Sequence, residues 1–120
     1  MNRRRIGSRA EEAAAEVLRR AGYRILDRNV RFPFGELDLV CEKEGVVVFV
    51  EVKARSGTVL GHPFEAVTPR KQRQVGRLAL AYLQGRGLGN CPCRFDVVAV
   101  HLDPEGHPVQ VEVLQDAFRL

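Results

Sequence analysis

Apolar residues at Ala10, Ala13, Ala14, Val17, Leu18 and Ala21 recur at the three- and four-residue spacing of a helix with one buried face. Ser8-Arg9-Ala10-Glu11 predicts a capping box at its start, and Gly22 its end. Residues 23–30 alternate as a strand, with Tyr23, Ile25 and Asp27 on one side, and Pro33-Phe34-Gly35 supplies the turn that follows. Two further strands are predicted at 36–42 and 46–53. Residues 54–67, with Gly57, Gly61 and Pro63, lose periodicity and read as a loop of the kind that often carries function. Thr68 as cap and Pro69 at the first helical position open a second helix, whose buried face is Val75, Leu78, Ala79 and Tyr82. The glycines at 85–89 stop it. Strands at 94–101 and 109–114, joined by the turn Asp103-Pro104-Glu105-Gly106, complete the order helix, three strands, helix, two strands. With no repeat, linker or low-complexity tract, this order predicts a single α/β domain over residues 1–120.

The two central strands read as an antiparallel hairpin turning at Glu44-Gly45, where glycine can take a positive φ. That register sets Leu37 opposite Val52, Leu39 opposite Val50 and Cys41 opposite Val48, one continuous apolar face. The other face then sets Glu36 against Lys53, Asp38 against Glu51 and Val40 against Phe49. Two opposed carboxylates repel by up to roughly 1 kcal/mol, an arrangement with no structural use in a hairpin. A hard divalent cation such as Mg²⁺ would compensate for it, and so would protonation of one carboxyl group. Lys53 projects from the same face as Glu51, where its ammonium can stabilise charge on a reacting phosphate or position a water. A salt bridge from Lys53 to Glu36 is its structural alternative. Glu11 and Glu12 are equally good carboxylates from the first helix, and spacing does not choose between them.

Composition narrows the chemistry. The chain has 120 residues, 45% of them hydrophobic and 28% charged, enough for one core without a disulfide framework or structural metal, so a bound metal would be functional. The net charge is +4 and the cations are nearly all arginine, with Lys43, Lys53 and Lys71 the sole lysines, which favours a polyanionic partner. No run reaches the roughly 18 apolar residues of a membrane span, and Arg3-Arg4-Arg5 is not followed by a signal core, so a cytoplasmic protein is expected. Cys41, Cys91 and Cys93 lack zinc-type spacing and read as reduced thiols.

Gly35-Glu36-Leu37-Asp38, followed by Phe49-Val50-Glu51-Val52-Lys53, resembles the PD-(D/E)xK nuclease superfamily and, within it, the archaeal Holliday-junction resolvases. The chain is most similar to the uncharacterised bacterial YraN-like family of predicted endonucleases. The likeness extends through Ala10-Glu11, Gly22-Tyr23-Arg24-Ile25-Leu26, Arg28-Asn29 and Arg94-Phe95-Asp96-Val97-Val98. It implies a restriction-endonuclease-like core, α-β-β-β-α-β-β, with a mixed central sheet flanked by helices. It also implies Glu11, Asp38 and Glu51 as ligands of Mg²⁺ or Mn²⁺ and Lys53 as the catalytic lysine, and it selects Glu11 over Glu12 because the family glutamate follows an alanine. The proline of the family motif is absent, Leu37 standing before Asp38.

The expected activity is metal-dependent hydrolysis of nucleic-acid phosphodiesters, DNA ahead of RNA, with branched or junction DNA a candidate substrate and a homodimer implied by the resolvases. A non-catalytic nucleic-acid-binding module of the same fold, or one that needs a partner to act, is the alternative. Arg55, Arg70, Lys71, Arg73 and Arg77 are the candidate phosphate contacts, the last four around the start of the second helix. Residues 1–7 are a candidate mobile basic arm, and His62 and Gln72 are further polar candidates near the site.

Overall fold

Ala10, Ala14 and Leu18 stand four residues apart, so a helix through them lays all three on one face, and all three are buried. This helix, α1, spans Arg3–Arg20 in the computed structural model, which describes residues 3–56 and 68–118, with side chains from Ser8 onward. It begins well before Ser8, so Ser8 is an interior helical residue, the expected capping box does not form, and the backbone of residues 3–7 is helical. Arginine's good helix propensity lets Arg3-Arg4-Arg5 carry the helix back past the serine. The other end is as expected. Gly22, at φ +92, lets the Tyr23 amide fold back onto the Leu18 carbonyl at 2.9 Å.

Strands β1 (Arg24–Phe32), β2 (Gly35–Lys43) and β3 (Val46–Ser56) form an antiparallel meander. Helix α2 (Pro69–Gly85) then crosses over to β4 (Cys93–Leu102), parallel to β3, and β5 (Pro108–Phe118) returns antiparallel to β4. The spatial order is the chain order, β1-β2-β3-β4-β5, and the single parallel pair among the described residues is the one with a helical crossover, as parallel pairing requires. The expected α-β-β-β-α-β-β order and mixed sheet are therefore present. Residues 54–56 extend β3 rather than opening a loop, and His62 lies outside the described residues. Thr68 caps α2 through Oγ1, which accepts the Lys71 amide at 3.1 Å. The tail of β5 runs to Phe118 because its ring stacks on Phe95, centroids 4.9 Å apart, a contact that strand alternation does not announce.

The sheet is buried on both faces, which is why β3 begins as the unbroken apolar run Val46–Val50. Leu39, Cys41, Val48, Val50, Val98 and Val100 pack under Ala10, Ala14 and Leu18 of α1. Val40, Val47, Phe49 and Phe95 pack against Val75, Leu78, Ala79 and Tyr82 of α2. A bulge between Ile25 and Asp27 splits the side expected for β1: Tyr23 and Ile25 face α1, whereas Asp27 accepts the Tyr82 hydroxyl of α2 at 2.9 Å.

Glu44 at φ 53 and Gly45 at φ 82 make the two-residue turn between β2 and β3, and the expected register holds from Lys43 opposite Val46 to Leu39 opposite Val50. There the ladder ends. Leu37, expected beside Leu39 under α1, packs instead in the α2 cluster, because this end of β2 stays paired to β1, with Val30 opposite Leu37, and leaves β3.

Candidate active site

The parting of β2 from β3 opens the sheet at Asp38. Its Oδ2 accepts the backbone N–H of Val52 at 2.9 Å, so a side chain takes the donor that a continued ladder would have given to β2 main chain. Asp38 and Glu51 are thus not the ladder pair that the sequence register predicts. They remain close enough for charge to act: burial first, and then the Glu51 and Glu11 carboxylates, push the Asp38 carboxyl up to about 7, against the Val52 hydrogen bond and Lys71. Three carboxylates from α1, β2 and β3 therefore share one electrostatic field.

Glu11 sits beside the buried Ala10 on α1 and is drawn to the sheet by the side chain of Asn29. Burial lifts its pKa above the usual range, the Asn29 hydrogen bond opposes this, and Glu36 and Arg28 act in opposite senses. Glu12 points away to solvent, where its Oε2 accepts Arg28 Nη1 at 2.7 Å and Arg19 lies 3.9 Å from Oε1. Glu51 is paired with α2, Lys71 Nζ lying 3.4 Å from its Oε1. Lys53, next along the same face of β3, has its pKa lowered by burial and by Arg55 and Lys71, with Glu51 and Asp38 opposing. Glu36, the alternative partner for Lys53, pairs with Arg31 at 3.6 Å.

The ligand atoms of these carboxylates do not all lie within 4.8 Å of one another. Among the described residues, the trio of acidic and histidine groups whose ligand atoms all lie within 4.8 Å of one another is Asp103, Glu105 and His107 in the β4–β5 turn, not Glu11, Asp38 and Glu51. Mutual repulsion and the pull of Lys71 on Glu51 account for the spread. The turn trio is already occupied by its own backbone, Asp103 Oδ1 accepting the amides of Glu105 at 3.0 Å and His107 at 2.8 Å. A hollow of about 620 Å³ lies away from the carboxylates and is lined mainly by apolar groups such as Leu80, Leu83, Pro92 and Phe118.

The basic candidates separate into two groups. Lys71 belongs to the acidic cluster through Glu51, and half-buried Arg55 donates to the Ala54 carbonyl at 3.1 Å while pressing on Lys53. Arg70, Arg73 and Arg77 are exposed, and with Phe34 and Gln74 they line a hollow of about 420 Å³. Gln72 is half-buried in the first turns of α2, its amide bonded to the Thr68 carbonyl at 2.9 Å.

Two features escape a reading of the sequence by periodicity. Asn29 takes φ 51 within β1, and the signal for it is the tolerance of asparagine for the left-handed region. Asp96, 1% exposed, is a fully partnered buried acid. It accepts the Tyr23 hydroxyl at 2.8 Å, Arg94 Nε at 2.9 Å and Nη2 at 3.0 Å, and the Asp116 amide at 2.9 Å, while Gln115 donates to the Tyr23 hydroxyl at 3.0 Å. Burial and Asp96 push the Tyr23 phenol up to about 12. This network pins β4 and β5 to the end of α1. Because Asp96 stands opposite Val50, it braces β3 next to Glu51 from the opposite face.

Fold and site together define a small mixed α/β domain with an acidic cluster, flanked by lysines, where two strands part. The chain belongs to the family described as uncharacterised protein family UPF0102, the YraN-like family, whose match covers residues 10–100. It is 52% identical over 115 residues to a UPF0102 protein of Symbiobacterium thermophilum, covering 96% of this chain and 97% of that one. UPF0102 proteins of Moorella thermoacetica and Caldicellulosiruptor saccharolyticus are 49% and 40% identical over 118 residues, covering 98% of this chain and 98% and 100% of theirs. No helix among the described residues is long and apolar enough to cross a membrane.

Proposed function

We propose that the chain is a metal-dependent nuclease of the PD-(D/E)xK superfamily, hydrolysing phosphodiesters in DNA ahead of RNA, with branched or junction DNA a candidate substrate. The observation that carries this reading is the half-buried Asp38 at the gap between β2 and β3, where burial first, and then the neighbouring Glu51 and Glu11 carboxylates, lift its carboxyl to about 7. Gathering like charges costs stability, so the arrangement calls for a cation. The donor set is all carboxylate, which suits Mg²⁺ or Mn²⁺, and the spread of the three groups is no obstacle, since Mg²⁺ is usually held through one or two carboxylates with waters completing its shell. When bound, the ion would acidify a water and neutralise charge on the phosphate oxygens.

The remaining work falls to this chain's own cations. Lys53 offers an ammonium beside the carboxylates for charge that grows on the scissile phosphate. Arg55, Arg70, Arg73 and Arg77 offer guanidinium forks for neighbouring phosphates, and Lys71 neutralises Glu51. Free thiols at Cys41, Cys91 and Cys93 fit the reducing cytoplasm expected for such a protein, and a two-fold symmetric junction would be met by a homodimer. Metal-dependent cutting of defined DNA substrates, compared between wild type and Glu51→Ala, tests the reading.

A further inference from the structure

Phe34 lies at the tip of the β1–β2 turn and is 39% exposed, an aromatic ring with no core to fill. The turn that carries it is nevertheless fixed. Gln74 Nε2 donates to the Phe34 carbonyl at 3.3 Å, and the Phe32 ring lies 5.7 Å away. Gly35, at φ +150, lets α2 press so close that an added Cβ would meet the Gln74 side chain at 3.0 Å and Leu78 at 3.2 Å. The ring is therefore a platform rather than a loose side chain.

Arg77 holds its guanidinium 5.0 Å from the Phe34 centroid, and Arg70 and Arg73 complete the rim of the 420 Å³ hollow, which is large enough for a small ligand. Among the described residues none of these three arginines has a carboxylate partner. A partly exposed aromatic ring overlaid by one guanidinium and flanked by two more is complementary to an aromatic base joined to phosphate, the base adding to the ring–guanidinium stack. A paired base inside a duplex has its faces covered by its neighbours, so the base that reaches such a platform is an unpaired one.

We propose that Phe34, with Arg70, Arg73 and Arg77, forms a subsite for an unpaired nucleotide next to the acidic cluster. Lys71, Gln74 and Arg77 follow at three-residue steps, so one stripe of α2 leads from Glu51 to Phe34. Six residues of helix rise about 9 Å, so the subsite lies within a few nucleotides of a phosphate at the carboxylates, and it selects substrates in which duplex gives way to single strand. This inference rests on the nucleic-acid reading above but not on cleavage.

The test is binding in EDTA at fixed salt to a blunt DNA duplex and to the same duplex with a single-stranded overhang carrying 2-aminopurine at successive positions. Wild type is expected to prefer the overhang and to quench 2-aminopurine at one unpaired position. Phe34→Ala should lose roughly 5- to 150-fold of affinity for the overhang, the range typical of a lost base stack, so that the preference collapses and quenching disappears; Phe34→Tyr should restore both. Arg73→Ala should weaken binding to the overhang more than to the blunt duplex. Equal binding of the two DNAs by wild type, a preference or quench that survives Phe34→Ala, or no binding to either DNA would overturn the proposal. Absence of metal-dependent cutting alongside an intact, Phe34-dependent preference would count against the nuclease and leave the subsite standing.

Discussion

The Asp38 carboxylate accepts the Val52 amide at 2.9 Å, and this one hydrogen bond marks where β2 leaves β3. Its acceptor and its charge act in opposite directions on the fold. Asp38→Asn keeps an acceptor and removes the repulsion with Glu51 and Glu11, so in EDTA it should be more stable than wild type by about 1 kcal/mol. Asp38→Ala strands the Val52 amide and should be about 1–3 kcal/mol less stable than Asp38→Asn. Urea titration of the three proteins checks the ranking.

Binding of a cation should reverse that ranking. Mg²⁺ or Mn²⁺ at 100 times its dissociation constant should stabilise wild type by about 2.7 kcal/mol and leave Asp38→Asn almost unmoved. Thermal melting with and without the metal reads the difference.

Lys71 competes for the same carboxylate, its Nζ lying 3.4 Å from Glu51. Removing a positive charge from a cation site favours the cation, so Lys71→Ala should bind Mn²⁺ several-fold more tightly, as read by calorimetric titration. Weaker binding would mean that Lys71 organises the ligands more than it neutralises them.

Arg94 is the principal compensation for the buried Asp96, held through Nε and Nη2. Arg94→Ala leaves that carboxylate uncompensated and should cost about 3–5 kcal/mol in urea unfolding.

Tyr23 gives the pH dependence. Its phenol has an ordinary value of 10 and is pushed up to about 12 in the fold, by burial and by Asp96. Below pH 10 both folded and unfolded chains keep the proton and the hydroxyl's contribution is whole; between pH 10 and 12 the unfolded chain releases the proton first, and the contribution declines. Tyr23→Phe should therefore be less stable than wild type near neutrality, and its deficit should narrow as pH rises from 10 to 12 in denaturant melts. A constant deficit over that interval would show that the phenol does not titrate as described.

Both helices, the Glu44-Gly45 turn and the register from Lys43 to Leu39 were legible because local rules decide them: spacing of apolar residues, a capping threonine before proline, a glycine at positive φ. Asp38, Glu51 and Lys53 stood out for a related reason, since charges among apolar alternation are conspicuous. What escaped is what side chains do across the chain. The ladder ends because Asp38 replaces main chain, Leu37 changes helix partner in consequence, Asn29 reaches Glu11 from another strand, and Asp96 is satisfied by residues as distant in sequence as Tyr23 and Asp116. The early start of α1 was missed because Ser8 offers a cap that the preceding arginines overrule.

The central claim is tested most directly by incubating labelled single-stranded, duplex, flapped and four-way-junction DNAs and matched RNAs with Mg²⁺, Mn²⁺ or EDTA, using wild type, Glu51→Ala and Lys53→Ala. The account predicts metal-dependent cleavage of a branched DNA ahead of the RNAs, falling at least a hundredfold in both variants. Binding across the panel without cutting in any metal, or cutting that persists in both variants, would contradict it.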